Sequence, residues 1–100
     1  MKNPQAKGMG YEKRYVGMNV RFEESGKMTP LTVLWEDGRE IPVDRVLSFG
    51  RAPSHVGSVM PVRYVCMIGG RERELYFESV CRRWFVEIKY REDDPAQRSE

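Results

Sequence analysis

The sequence has little histidine, little cysteine and no helical periodicity: one His and two Cys stand among its one hundred residues. The two thiols, Cys66 and Cys81, come without an apolar leader at the N-terminus, so a cytoplasmic location and reduced thiols are expected. No stretch approaches membrane-spanning length, so no membrane partner is expected. Charge of one sign is lacking too. Residues 1–14 carry +3, residues 15–90 carry +1 and residues 91–100 carry −2, for a formal net charge of +2. A strong, purely electrostatic grip on nucleic acid is therefore not implied. A chain of this length buries about 60–65% of its unfolded surface, which makes one modest core and does not favour a deep enzyme cleft.

What is present is period-2 alternation. In residues 16–23, Met18, Val20 and Phe22 share one face and Asn19, Arg21 and Glu23 the other. Glu24 to Lys27 is turn-like. In residues 31–36, Leu31, Val33 and Trp35 share a face, and Leu34 breaks the alternation. Asp37-Gly38 predicts a two-residue type I′ hairpin, with positive φ at both positions. The return strand, residues 39–49, shifts phase at Val46-Leu47, which predicts a bulge or bend near Asp44-Arg45. Pro42 cannot donate to a ladder and argues for an edge. A loop follows over residues 50–60. Strands are then expected at 62–68, turned by Gly69-Gly70, at 71–78, and at 84–89 after a short link carrying Cys81, Arg82 and Arg83.

These signals predict one all-β domain over residues 15–90. The expected architecture is a small antiparallel six-stranded barrel or bent sheet, an SH3-like roll. Residues 1–14 read as a flexible arm and residues 91–100 as a flexible acidic tail.

Trp35-Glu36-Asp37-Gly38-Arg39, Asp44-Arg45-Val46-Leu47, Arg63 to Glu72, Tyr76-Phe77-Glu78 and Arg83-Trp84-Phe85-Val86-Glu87 together resemble a family of small uncharacterised bacterial proteins. The resemblance covers about residues 30–88. It implies a small all-β protein with no established activity. Through genes near a translesion DNA polymerase, it also implies a link to DNA repair.

Chemistry is thinly provided. His55, Cys66 and Cys81 lack the short ligand pairs of structural zinc, and Cys66 falls on an inward face, so no metal is expected. Cys81 beside Arg82 and Arg83 has an electropositive setting, but nothing places the loop histidine near it as a base. Glu36 and Asp37 flank a turn, and Glu72, Glu74 and Glu78 alternate on a strand, which is turn chemistry and a wetted face rather than a converging acid–base pair. No cofactor and no enzymatic activity are expected.

Surface residues carry the rest of the reading. Arginine outnumbers lysine twelve to five, and its planar fork suits carboxylate or phosphate contacts. Arg63, Arg71, Arg73, Arg82 and Arg83, with Tyr76 and Phe85 expected outward, could serve a nucleic acid, although Glu72, Glu74, Glu78 and Glu87 among them would repel phosphate. Val65, Met67, Leu34, Tyr76 and Phe85 could instead form an apolar patch for a protein partner. The alternative is a second small cluster, built with Pro61 or the 50–60 loop, that buries them. The leading expectation is protein–protein association, self-association included, with a nucleic-acid accessory role as the runner-up.

Overall fold

The computed structural model describes residues 10–54 and 60–90, which form strands and turns with no helix. The strands are β1 (Gly10–Phe22), β2 (Met28–Leu34), β3 (Glu40–Pro42), β4 (Arg45–Arg51), β5 (Val62–Ile68), β6 (Arg71–Glu78) and β7 (Arg83–Tyr90). They make one antiparallel sheet in the order β3-β2-β1-β7-β6-β5-β4. The sheet is curled into a half-barrel, with its core on the inner face.

Seven strands replace the six expected, because the single return strand divides. β3 pairs with β2 at one edge of the sheet and β4 pairs with β5 at the other. Only Val43 and Asp44 lie between them. The Val43 N–H donates to Leu31 O at 2.9 Å and the Asp44 N–H to Met67 O at 2.8 Å, so consecutive amides serve opposite edges. The sheet has to curl until its edges meet there. The expected bend is thus at residues 43–44, and a bulge follows at Leu47, which the register skips between Val46 and Ser48. Pro42 sits in an edge strand, where its missing N–H costs no ladder bond.

β1 starts at Gly10, so the last five residues of the expected arm are strand. Residues 10–16 pair with β7 and residues 17–22 with β2. Their polar pattern hid the strand, because β7 supplies the main-chain partners and Lys13 faces a carboxylate rather than water. Residues 1–9, 55–59 and 91–100, which carry the rest of the arm, the loop centre and the tail, lie outside the described residues. A β-carbon at Gly17 would meet Leu34 Cβ at 3.1 Å, at the point where β1 changes partner.

The Asp37-Gly38 hairpin has a different turn from the one expected. The Gly38 N–H donates to Trp35 O and the Trp35 N–H to Arg39 O, each at 2.9 Å. Only Gly38 has positive φ, +94°, which makes a three-residue loop with a glycine bulge. Gly69-Gly70 is the true two-residue turn, with φ of +60° and +79°.

The core is Val33, Tyr64, Cys66, Leu75 and Trp84, with Val16, Met18, Val20, Ile41, Val43, Phe77 and Val86 packed around it. Leu31 leaves the expected face. The register steps from Asn19–Thr32 to Val20–Pro30, so Leu31 is bulged out and exposed while Pro30 is buried.

Candidate functional site

On β5, β6 and β7 the register sorts side chains cleanly. Arg63 stands opposite Tyr76, Tyr76 opposite Phe85, and Glu78 opposite Arg83, all on the outer face. Tyr76 and Phe85 were expected to be exposed there. They are 1% and 0% exposed. Their rings stack with centroids 5.0 Å apart and planes 5° from parallel, and Tyr15 meets Phe85 edge-on at 6.0 Å. The Lys13 ammonium lies 4.6 Å above the Phe85 ring. Pro61, on the same face by alternation, is buried with Ala52, whose N–H donates to Pro61 O at 3.2 Å. The outer face thus holds a second cluster, and these two aromatics offer no area to a partner.

Glu78 anchors the edge of this cluster. Its carboxylate takes a 2.6 Å bond from Lys13 Nζ, a 2.8 Å bond from the Tyr15 hydroxyl and a 3.1 Å bond from the Cys81 thiol. Burial alone would raise the Glu78 carboxyl, but these three donors outweigh it and hold its pKa below the usual value. The same bonds push the Lys13 ammonium, the Tyr15 hydroxyl and the Cys81 thiol up. The Arg83 guanidinium lies 3.5 Å from the Tyr15 ring centroid. At Cys81 the Glu78 carboxylate therefore outweighs the opposing pull of Arg83. The thiol is less of a thiolate than a free cysteine, the opposite of what nucleophilic catalysis needs. Cys66 is free and fully buried, and burial pushes its thiol up to about 11.

The nine candidate surface residues do not share one surface. Arg63, Val65, Met67, Tyr76, Arg83 and Phe85 take the outer face, with Val65 and Met67 half-buried. Arg71 and Arg73 share a face with Leu75 and Phe77 and so belong to the inner face, exposed where the core has ended. Arg82 is in the turn, at φ +59°, the only described non-glycine residue with positive φ. Acids occupy the outer face as well. Glu72, Glu74 and Glu78 lie along β6, Glu74 accepts the Tyr76 hydroxyl at 2.9 Å, and Arg63 approaches Glu74 at 4.0 Å. A phosphate backbone would meet these carboxylates.

The uncovered apolar side chains lie elsewhere. Phe22 follows Met18 and Val20 on the inner face of β1, yet is 64% exposed. Phe49 stands opposite Tyr64 on the inner face of β4, 5.4 Å from its ring, yet is 55% exposed. Both mark the mouth of the half-barrel. Two grooves open there and share Met28. The larger, about 640 Å³, runs under β1 from Tyr15 to Phe22 and across to Phe77 and Trp84, with Arg82, Arg83 and Glu36 among its lining. The smaller, about 410 Å³, lies between Lys27–Thr29 of the β2 end and Val46–Phe49 of β4. Sequence reasoning missed this mouth because alternation groups Phe22 with Met18 and Val20, and the phase shift at Val46-Leu47 leaves Phe49 unassigned; the bulge at Leu47 turns it inward. The available signal was position: each stands at a strand end, Phe22 before a turn and Phe49 beside Gly50.

Among the described residues no three His, Cys, Asp or Glu side chains come together as a metal group, and His55 lies outside them. Glu36 and Asp37 are exposed at the hairpin tip, where Asp37 holds Arg39 at 2.7 Å. No family model, curated protein or solved structure matches this chain.

Proposed function

We propose that the protein is a non-enzymatic association module that binds another polypeptide through the mouth of its curled sheet. The observation that carries this reading is the pair Phe22 and Phe49, inward by register and still 64% and 55% exposed. Large aromatic side chains on an inner face lose transfer free energy when left in water, and a partner that covers them recovers it. The small roll then serves as SH3-like domains do, presenting an aromatic-lined groove to an extended chain. A photo-crosslinking residue placed at position 22 or 49, with position 74 on the outer face as control, tests it. Discrete adducts from 22 and 49 but not from 74 support the reading. The same absence of adducts at all three positions overturns it. Sedimentation of the purified chain from micromolar concentration upward separates a second copy from a different partner.

One observation favours a second reading. Arg82 and Arg83 line the larger groove beside Tyr15, and a stacked Arg–Tyr pair next to free aromatic faces suits a single-stranded nucleic acid. The DNA-repair link implied by the resemblance would follow this reading. Fluorescence anisotropy with single-stranded DNA and RNA at low salt tests it, and no binding there removes it, since the phosphate contribution is largest at low salt.

A further inference from the structure

We infer that the smaller groove is a strand-addition site for an extended, acidic segment of another protein, which would fill the seam between β2 and β4. The inference rests on the association reading above and names the partner's chemistry and geometry. The seam follows from the topology. β3 uses β2 as its partner through Thr32–Leu34, and Val43 adds one bond to Leu31. Beyond that point the chain leaves for β5. Met28–Pro30 of β2 and β4 are left facing each other, and no pairing joins them among the described residues.

The main chain of β2 points into this gap. The Glu23 N–H donates to Lys27 O at 2.8 Å as the hairpin closes. The next pair, Phe22–Met28, is therefore of the non-hydrogen-bonded kind, with the Met28 amide and carbonyl directed away from β1. The Met28 carbonyl takes a 3.1 Å bond from the Tyr64 hydroxyl, reaching across from β5. That acceptor is already satisfied, and Pro30 is buried and has no N–H, so an added strand would take its main-chain bonds from the unpaired edge of β4. Leu47 and Phe49 stand exposed along the opposite wall at 43% and 55%.

Charge selects the occupant. β4 carries Arg45 and Arg51 and no acid. Lys27 completes the groove's rim. An unprotected edge of this composition repels basic strands and attracts acidic ones. Main-chain bonds would supply affinity and the alternate apolar side chains would take the Leu47–Phe49 wall.

The probe is a fluorescent heptapeptide of alternating glutamate and valine, compared with its lysine–valine counterpart by anisotropy against the full chain. The glutamate peptide binds, and the lysine peptide binds at least about tenfold more weakly. Phe49→Ala weakens the glutamate peptide about tenfold, as loss of an aromatic anchor does. Arg45→Glu with Arg51→Glu reverses the preference, and because both residues are exposed the fold survives, which amide spectra verify. Equal binding of the two peptides, or an unchanged preference in the charge-reversed variant, overturns the inference. So does peptide-induced amide perturbation confined to residues outside β2 and β4. Crosslinking at positions 22 and 49 without binding of the glutamate peptide would sink the strand-addition site and leave the association reading standing.

Discussion

Replacing Glu78 with glutamine tests the outer-face cluster most sharply. The substitution keeps the shape and removes the charge that Lys13, Tyr15 and Cys81 all address. Lys13 then remains above the Phe85 ring without its 2.6 Å carboxylate partner. The side chains of Lys13 and Glu78 are 20% and 9% exposed, between a surface pair and a buried one. Surface pairs contribute roughly 0–1 kcal/mol, and breaking a fully buried pair costs about 3–5 kcal/mol. The expected loss for Glu78→Gln is therefore about 1–2 kcal/mol at neutral pH. Urea denaturation of both proteins across pH provides the assay. The Glu78 carboxyl is depressed in the fold, so its contribution is complete above the ordinary value of 4.5 and is lost as pH falls through the lower folded value. Lys13 and Tyr15 are raised, so their share is complete below 10.5 and 10.0 and is lost as pH rises past their folded values. The gap between wild type and variant should be a plateau that closes at both ends. A gap that is absent at neutral pH, or constant down to acid, would refute the assignment of Glu78 as the shared acceptor.

Other outcomes follow from particular positions. Phe85→Ala should cost about 3–5 kcal/mol, while Phe22→Ala should stay within about 0.5 kcal/mol, because only the first ring is enclosed; equal costs by urea melting would contradict the two exposures. Arg82→Gly should raise the urea midpoint, since a left-handed L-residue costs about 1–2 kcal/mol and glycine returns roughly half of that as chain entropy; a lower midpoint would mean that the Arg82 side chain stabilises the turn. Thiol titration of the native chain at neutral pH should report one slow equivalent, Cys81, with Cys66 appearing only after denaturation; two equivalents in the native state would contradict the burial of Cys66.

Alternation was enough to place β5 and β6, residues 62–68 and 71–78, and to send Tyr64, Cys66, Leu75 and Trp84 inward. It succeeds there because both neighbours are regular strands and one face is dry. It fails where a second interaction supplies what the pattern omits. Residues 10–14 have no apolar stripe, yet they are strand because β7 takes their main chain and Glu78 takes Lys13. Tyr76 and Phe85 alternate outward as expected, but a period-2 rule treats the second face as solvent. It has no means of registering a stacked pair roofed by a lysine. The bulge after Asp37 was misread for a related reason. Asp-Gly is compatible with both hairpin turns, and the choice is made by the pairing of Trp35 with Arg39 across three loop residues.

The mouth and the fold's closure have a common origin in Val43 and Asp44. A strand that passed straight from β2's side to β5's side would pair along its whole length with both, and the barrel would shut. Here the hand-over is made between two consecutive amides, one donating to Leu31 and the next to Met67. The strand before the hand-over has a partner on one side only, and the strand after it has a partner on the other side only. The two residues that bring the edges together therefore oblige them to part again past Leu31. Inner-face residues beyond the parting, Met28 and Phe22 on one wall and Phe49 on the other, inherit an inward direction without a roof. Their exposure is a consequence of how this sheet closes, not of loose packing, since Val33, Tyr64 and Trp84 a few residues away are at 3%, 5% and 6%. A rigid, well-packed scaffold that leaves aromatic side chains uncovered at one defined place is what a binding site requires, because the partner then gains their burial without having to order the groove first.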